Sequence, residues 1–245
     1  MARAPEAPVV SGRATVLGNI SANLRRGGGA VHGASHPAEV VSAAETGSTP
    51  VPIPQDLLVE RFSAELTAIA GRVHRPGTTG EAIAAVTAVC REHGASRVLS
   101  WASEWIGLPG LDEGLAASGI AVDQGWLPDG DDRIDRLAAL EPVRVGITGA
   151  FAGIAESGSI AVVSGAGRSR LASLLAPVHI AVLRADHIYP SLTAFFTAHA
   201  DIAEEGSNLV LITGPSRTAD IEMTLTRGVH GPGEVHVIIL GEDVR

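Results

Sequence analysis

Between Val143 and Leu183 the chain alternates apolar runs of strand length with turns of small residues, and no other feature restricts the fold as much. Runs 160–163 and 178–183 show little polar alternation, as strands covered on both faces do. Polar chemistry is thereby confined to the turns. One carboxylate, Glu156, sits inside Ala155-Glu156-Ser157-Gly158-Ser159, and two arginines, Arg168 and Arg170, follow the turn Gly165-Ala166-Gly167. An acid and two fixed cations beside permissive backbone mark the first place to look for a site.

The alternation extends in both directions. Leu58, Phe62, Leu66 and Ile69 recur at helical spacing and Gly71 can stop that helix. Thr78 with Glu81 three residues later fits a capping box for a second helix, with Ile83, Val86, Val89 and Cys90 on its buried face and Gly94 at its end. Further strands are expected at 96–102, 120–123, 143–149, 159–164, 177–183, 208–213 and 235–240. Helices are expected at 111–118, 131–140, 151–157, 168–175 and 190–199, and a turn at 214–222. Strands alternating with helices predict an α/β fold, a mainly parallel sheet flanked by helices. Ligands gather at the carboxyl ends of such strands, where turns 165–170 and 214–222 both begin. Residues 1–53 read as an N-terminal appendage, a short helix over 16–26 and a Gly/Ser/Pro-rich linker, and residues 54–245 as the α/β domain.

Composition removes several function classes. A formal charge of -9 leaves no basic stripe, and one tyrosine and four phenylalanines offer little stacking surface, so nucleic-acid binding is disfavoured. No apolar run reaches the roughly 18 residues of a spanning helix. Residues 1–10 lack a basic start followed by an apolar stretch, and the protein reads as cytoplasmic. Cys90 is the sole cysteine, so the chain alone makes no disulfide, zinc–cysteine site or four-cysteine iron–sulfur cluster. All 18 basic residues are arginine. Missing lysine removes Schiff-base chemistry and the usual P-loop, and leaves arginine, a planar fork suited to carboxylate and phosphate, to hold anions.

Gly165-Ala166-Gly167-Arg168-Ser169-Arg170 begins like a dinucleotide fingerprint but has arginine where the third glycine belongs. Backbone amides with Arg168 or Arg170 suit a small carboxylate or phosphate better; ion pairing with surface carboxylates is the alternative. Gly214-Pro215-Ser216-Arg217 offers a second tight turn, with Ser216 as a helix cap and Arg217 as a third cation. Neighbouring turns would bring three guanidinium groups together. Glu156 has three readings: a hydrogen-bond acceptor within its own turn, a nucleophile, or a base taking a proton from a hydroxy acid. His230, in a glycine-rich loop, is the histidine suited to acid–base work, whereas His179 and His236 lie in apolar runs and read as satisfied core residues. Asp220, Glu222, His230 and His236 match no established ligand spacing, so no metal is assigned. Trp101 and Trp105 read as the rim of the core rather than as pocket walls.

Three blocks together resemble the lactate utilization protein C family, or LUD domain. They are Gly146-Ile147-Thr148-Gly149-Ala150 with Ile154-Ala155-Glu156-Ser157-Gly158-Ser159; Pro177-Val178-His179-Ile180 after Arg168-Ser169-Arg170-Leu171; and Asn208-Leu209-Val210 through Ile212-Thr213-Gly214-Pro215-Ser216-Arg217 to Glu222, with Gly228-Val229-His230-Gly231-Pro232. The resemblance implies a fold similar to the glucosamine-6-phosphate deaminase, ribose-5-phosphate isomerase and coenzyme A transferase group. It also implies a non-redox subunit of an assembly that oxidises L-lactate to pyruvate, with no cofactor in this chain and iron–sulfur clusters on partner subunits. A homo-oligomer is compatible with it. Phe151 departs from the aspartate that relatives often carry after Thr-Gly-Ala. The alternative is a free-standing coenzyme A transferase-like or sugar-phosphate-type enzyme with Glu156 as nucleophile or base.

Overall fold

The structure, a computed structural model, describes residues 53–219, 225–227, 230–241 and 244. The expected appendage therefore lies outside the described residues apart from Ile53, as do Asp220 and Glu222. Helix α1 (Gln55–Ala68) buries Leu58, Val59, Phe62 and Leu66 and ends where Ala70 takes a positive φ ahead of Gly71. Strand β1 (Arg72–His74), which the sequence reading missed, is three residues long and lacks an apolar run. Helix α2 (Thr79–Glu92) starts as expected: Thr78 Oγ1 accepts from Glu81 N at 3.1 Å, while Glu81 Oε2 accepts from Gly77 N at 2.7 Å. Val86, Val89 and Cys90 are buried on it.

Strand β2 (Arg97–Ser100), helix α3 (Leu111–Ala117), strand β3 (Ala121–Asp123), helix α4 (Asp132–Leu140) and strand β4 (Val145–Gly149) follow. After short helix α5 (Leu171–Leu174) comes β7 (Val178–Arg184), and the chain ends with β12 (Glu234–Leu240). These strands form a six-stranded sheet in the order β1-β12-β7-β4-β2-β3, and every pairing is parallel. Its central strands are buried along their length, which is why their sequences read as continuous apolar runs. Gly146 is required in β4 because a Cβ there would stand 1.8 Å from the Ala172 carbonyl oxygen of α5.

The remaining strands correct the sequence reading. Residues 152–154, expected within a helix, form β5 (Ala152–Ile154), which turns through Glu156 into β6 (Ser159–Ser164). With β8 (Ile188–Tyr189) and β9 (Asn208–Ile212) they make a separate four-stranded sheet, β8-β5-β6-β9, in which β6 runs antiparallel to both neighbours. The apolar run of β6 cannot reveal this, because both faces are covered here too. Ile160 and Val162 face the main core, while Ala161 and Val163 join Phe195 of helix α6 (Leu192–Ala198) in a smaller cluster. The expected helix cap at Ser216 is also corrected: residues after it form β10 (Arg217–Ala219), antiparallel to β11 (Leu225–Arg227).

Candidate functional site

The strand order reverses between β2 and β4. The chain leaves β2 toward β3 on one side and leaves β4 toward β7 on the other, which opens a crevice at the carboxyl ends of these strands. A cavity of about 230 Å³ occupies it. Gly149 and Phe151 line it from the end of β4, Arg184 from the end of β7, Tyr189 from β8, Trp105 from the segment after β2, and His199 from the end of α6. A Cβ on Gly149 would stand 2.2 Å from the Trp105 carbonyl oxygen, so glycine is what lets the tryptophan segment close over the strand end. An adjoining cavity of about 110 Å³ shares Trp105, Gly149 and Phe151 and reaches Arg168.

The polar groups here are arranged in pairs. Tyr189 Oη and His199 Nε2 lie 2.7 Å apart, and Phe151 meets the His199 ring edge-on at 5.0 Å. Arg184 grips Asp186 with two hydrogen bonds, Nε to Oδ1 at 3.0 Å and Nη2 to Oδ2 at 2.9 Å. That guanidinium holds the Asp186 carboxyl below its ordinary range. A phenol hydrogen-bonded to an imidazole beside a fixed cation can move a proton at a small anionic molecule. Phe151, the departure noted in the sequence, forms part of this wall and supplies no acid or base. Trp105, read from the sequence as rim, is 46% exposed and walls both cavities, whereas Trp101 is buried, lines only the smaller one and donates to the Ser169 carbonyl at 3.0 Å.

The residues singled out in the sequence do not assemble into one site. Since β6 and β9 are antiparallel, Ser164 pairs with Asn208 and Ile160 with Ile212. The Gly165 turn therefore leaves one end of this pair and the Gly214 turn the other, roughly 15 Å apart at a strand rise near 3.3 Å per residue. Gly165 and Arg168 close a tight turn with two mutual backbone hydrogen bonds, and Gly167 has a φ of +70. Arg168 folds back over Gly165, donates to the Glu205 carbonyl at 2.6 Å and lies 4.3 Å above the Trp105 ring. It is only 9% exposed. Arg170, by contrast, is exposed at the start of α5.

Glu156 and Arg217 both serve helix ends. Glu156 Oε1 accepts from Leu192 N at 2.7 Å, at the start of α6, where Ser191 Oγ also accepts from Ala194 N. The acceptor role expected of Glu156 is thus fulfilled toward a helix 36 residues away, not within its own turn. Arg217 Nη2 donates to the Ile69 carbonyl at the end of α1. Gly214 packs on Ile69 with a φ of +77, Ser216 N donates to the Pro232 carbonyl at 2.8 Å, and His230 is exposed.

The two strand histidines differ from each other. His179 is fully buried with Nε2 2.9 Å from Thr148 Oγ1, and burial pushes it down to about 4. One ring nitrogen is thus satisfied, while Nδ1 has no partner among the described residues. His236 is pushed down to about 4 by burial and then by the nearby His74 and Arg72. Its Nδ1 is 3.0 Å from His74 Nε2, and its Nε2 has no hydrogen-bond partner among the described residues.

Comparison with known proteins places this arrangement in context. The sequence model of the LUD domain matches residues 59–240. The chain is 29% identical over 169 residues to lactate utilization protein C of Macrococcus caseolyticus, covering 67% of this chain and 70% of that one. It is 38% identical over 104 residues to the protein of the same name from a Geobacillus species, covering 41% and 43%. A crystal structure of a DUF162 family protein from Deinococcus radiodurans superposes with a TM-score of 0.55 at 21% identity, covering 78% of this chain and all of that one, and supports the fold.

Proposed function

Because the chain belongs to the LUD domain family, we propose that it is the non-redox subunit of an assembly that oxidises L-lactate to pyruvate with iron–sulfur partner proteins. Relatives named for lactate utilization support the pathway. One observation supports the division of labour: Cys90, the sole cysteine, is fully buried and burial pushes its thiol up to about 12. A neutral, enclosed thiol neither ligates a cluster nor relays electrons. Clusters then belong to partner chains, and this subunit contributes binding and positioning. The carboxyl-end cavity suits a small hydroxy acid, with Arg184 as the cation lining it and Tyr189–His199 beside the hydroxyl. The alternative of Glu156 as a nucleophile toward acyl-CoA is weakened by the helix end its carboxylate already serves.

The test combines the purified chain with iron–sulfur proteins encoded beside it. Alone, the chain should show no cluster absorbance and little lactate-dependent dye reduction; with partners, turnover should appear, and Tyr189→Phe or His199→Gln should reduce it without weakening assembly. Full turnover by the isolated chain without added flavin, or a thioester on Glu156 after incubation with acyl-CoA, would refute the proposal.

A further inference from the structure

At the opposite, amino-terminal end of the sheet lies a second cluster of titratable groups. Glu234 and His236 are two apart on β12, so both project from the same face. His93 caps the carboxyl end of α2 and brings its ring onto that face, edge-on to His236 at 6.5 Å. Glu234 Oε2 lies 3.7 Å from His93 Nε2 and 3.7 Å from His236 Nε2, and the three atoms are all within 4.8 Å of one another. Separations of 3.7 Å are too long for hydrogen bonds. All three atoms are buried without a hydrogen-bond partner among the described residues, though Glu234 Oε2 has an ion-pair contact with Arg72 at 3.2 Å, and His236 is only 1% exposed. Leaving one such nitrogen unsatisfied costs about 1–3 kcal/mol, so two imidazole nitrogens converging on one carboxylate oxygen call for a shared partner.

We propose that His93 Nε2, His236 Nε2 and Glu234 Oε2 bind a divalent transition-metal ion, zinc being the best match, with a fourth position open to water or a small anion. Two imidazoles and one carboxylate with an open position are a donor set that zinc accepts. Tetrahedral ligands about 2.0–2.1 Å from zinc stand roughly 3.4 Å apart, so the two carboxylate–imidazole separations of 3.7 Å close by only a few tenths of an ångström, and the imidazole pair starts within 4.8 Å. The surroundings orient the donors. His74 Nε2 is 3.0 Å from His236 Nδ1, and in the tautomer that metal binding selects it accepts the Nδ1 proton and leaves the His236 Nε2 lone pair facing the site. Arg72 Nη2 is 3.2 Å from Glu234 Oε2 and its Nη1 3.4 Å from Glu92 Oε1. A metal on Oε2 leaves Arg72 the other Glu234 oxygen and Glu92. A cavity of about 420 Å³, lined by His93, Glu234, Arg72 and Arg144, gives the ion access, and its two arginines suit an anionic fourth ligand.

The site is tested on the full-length, tag-free chain after chelator treatment, using Co²⁺ and Zn²⁺ as probes. Wild type should take up one equivalent of Co²⁺ with the intense visible bands of a four-coordinate ion, lose them on adding Zn²⁺, and melt at higher temperature with Zn²⁺ than without. His93→Ala removes a half-buried ring at a helix end, and Glu234→Gln is nearly isosteric. Each should weaken Co²⁺ binding by roughly tenfold or more while its metal-free melting stays near wild type. If one variant fails to fold, the other decides. Absence of stoichiometric binding by wild type, or unchanged affinity and spectrum in the folded variants, would overturn the assignment.

Discussion

Replacing Arg168 with alanine separates a ligand-binding role from a structural one. The sequence offers this arginine as an anion-binding arm; its setting makes it part of the packing. The guanidinium donates to the Glu205 carbonyl at 2.6 Å, which for a charged donor contributes about 1.5–3 kcal/mol. Its position 4.3 Å over Trp105 adds about 0.5–2 kcal/mol. Against these stands the desolvation of a cation only 9% exposed, with an Nε that has no partner among the described residues, and removing it relieves part of that cost. The balance is a destabilisation of about 2–3 kcal/mol, or roughly a 1 M fall in urea midpoint at a typical slope. Arg168→Lys keeps the charge but loses the planar stack, and should recover less than half. Urea unfolding followed by tryptophan fluorescence, with lactate and phosphate titrations on the same samples, measures both roles. An unchanged midpoint with a loss of anion affinity would refute the structural assignment and restore the arm.

Other perturbations follow the same logic. Burial lowers the folded His179 pKa from 6.5 to about 4, so the unfolded chain binds more protons between those values. His236 is depressed to the same value, so the stability these two groups contribute should be fully present above about pH 6.5 and fall toward pH 4 by up to roughly 1.4 kcal/mol per pH unit for each. His179→Gln should remove about half of that slope in urea midpoints measured across the range, His236 retaining the rest. Gly146→Ala drives a Cβ to 1.8 Å from backbone and should cost about 4 kcal/mol or more, whereas Gly241→Ala, with nothing within 4 Å, should leave thermal melting nearly unchanged. Glu156→Gln keeps an acceptor for Leu192 N but loses the charge at the helix start, so it should cost only about 0.3–1 kcal/mol in low salt, less in high salt. Arg217→Ala should speed amide exchange at the end of α1 with a global cost of about 0.5–1.5 kcal/mol.

What could be read from the sequence was what depends on local pattern. Helix α2 announces itself through Thr78 and Glu81, and strands β4, β7 and β12 through apolar runs, because capping and two-sided burial leave marks within a few residues. Sheet membership leaves none. Residues 159–164 look the same whether they pair with parallel neighbours or with β5 and β9, and the mistaken sheet carried the mistaken site with it, since three guanidinium groups converge only if both turns end neighbouring parallel strands. Glu156 and Arg217 were conspicuous for being charged beside glycine, yet their partners lie 36 and 148 residues away. No local pattern encodes such distances. Tyr189 and His199 were overlooked for the converse reason: ten residues apart around a helix, they meet only because α6 brings its end back beside β8.

One overlooked signal was nevertheless present in the sequence. An acid and a histidine two apart in an apolar run, Glu234-Val235-His236, cannot both be core residues of a doubly covered strand without meeting a partner, because that spacing places them on one face. His236 was read as a satisfied core histidine from its apolar neighbours alone. The spacing implied that whatever satisfied it would also touch a carboxylate, and it was the helix ending at His93, legible from Gly94, that supplied the third group. The two ends of the parallel sheet thus divide the polar chemistry: a crevice walled by aromatic rings at the carboxyl ends, and an imidazole–carboxylate cluster at the amino ends. Strands β7 and β12 connect them through a buried apolar interior, so a change at one end reaches the other through packing rather than through charge.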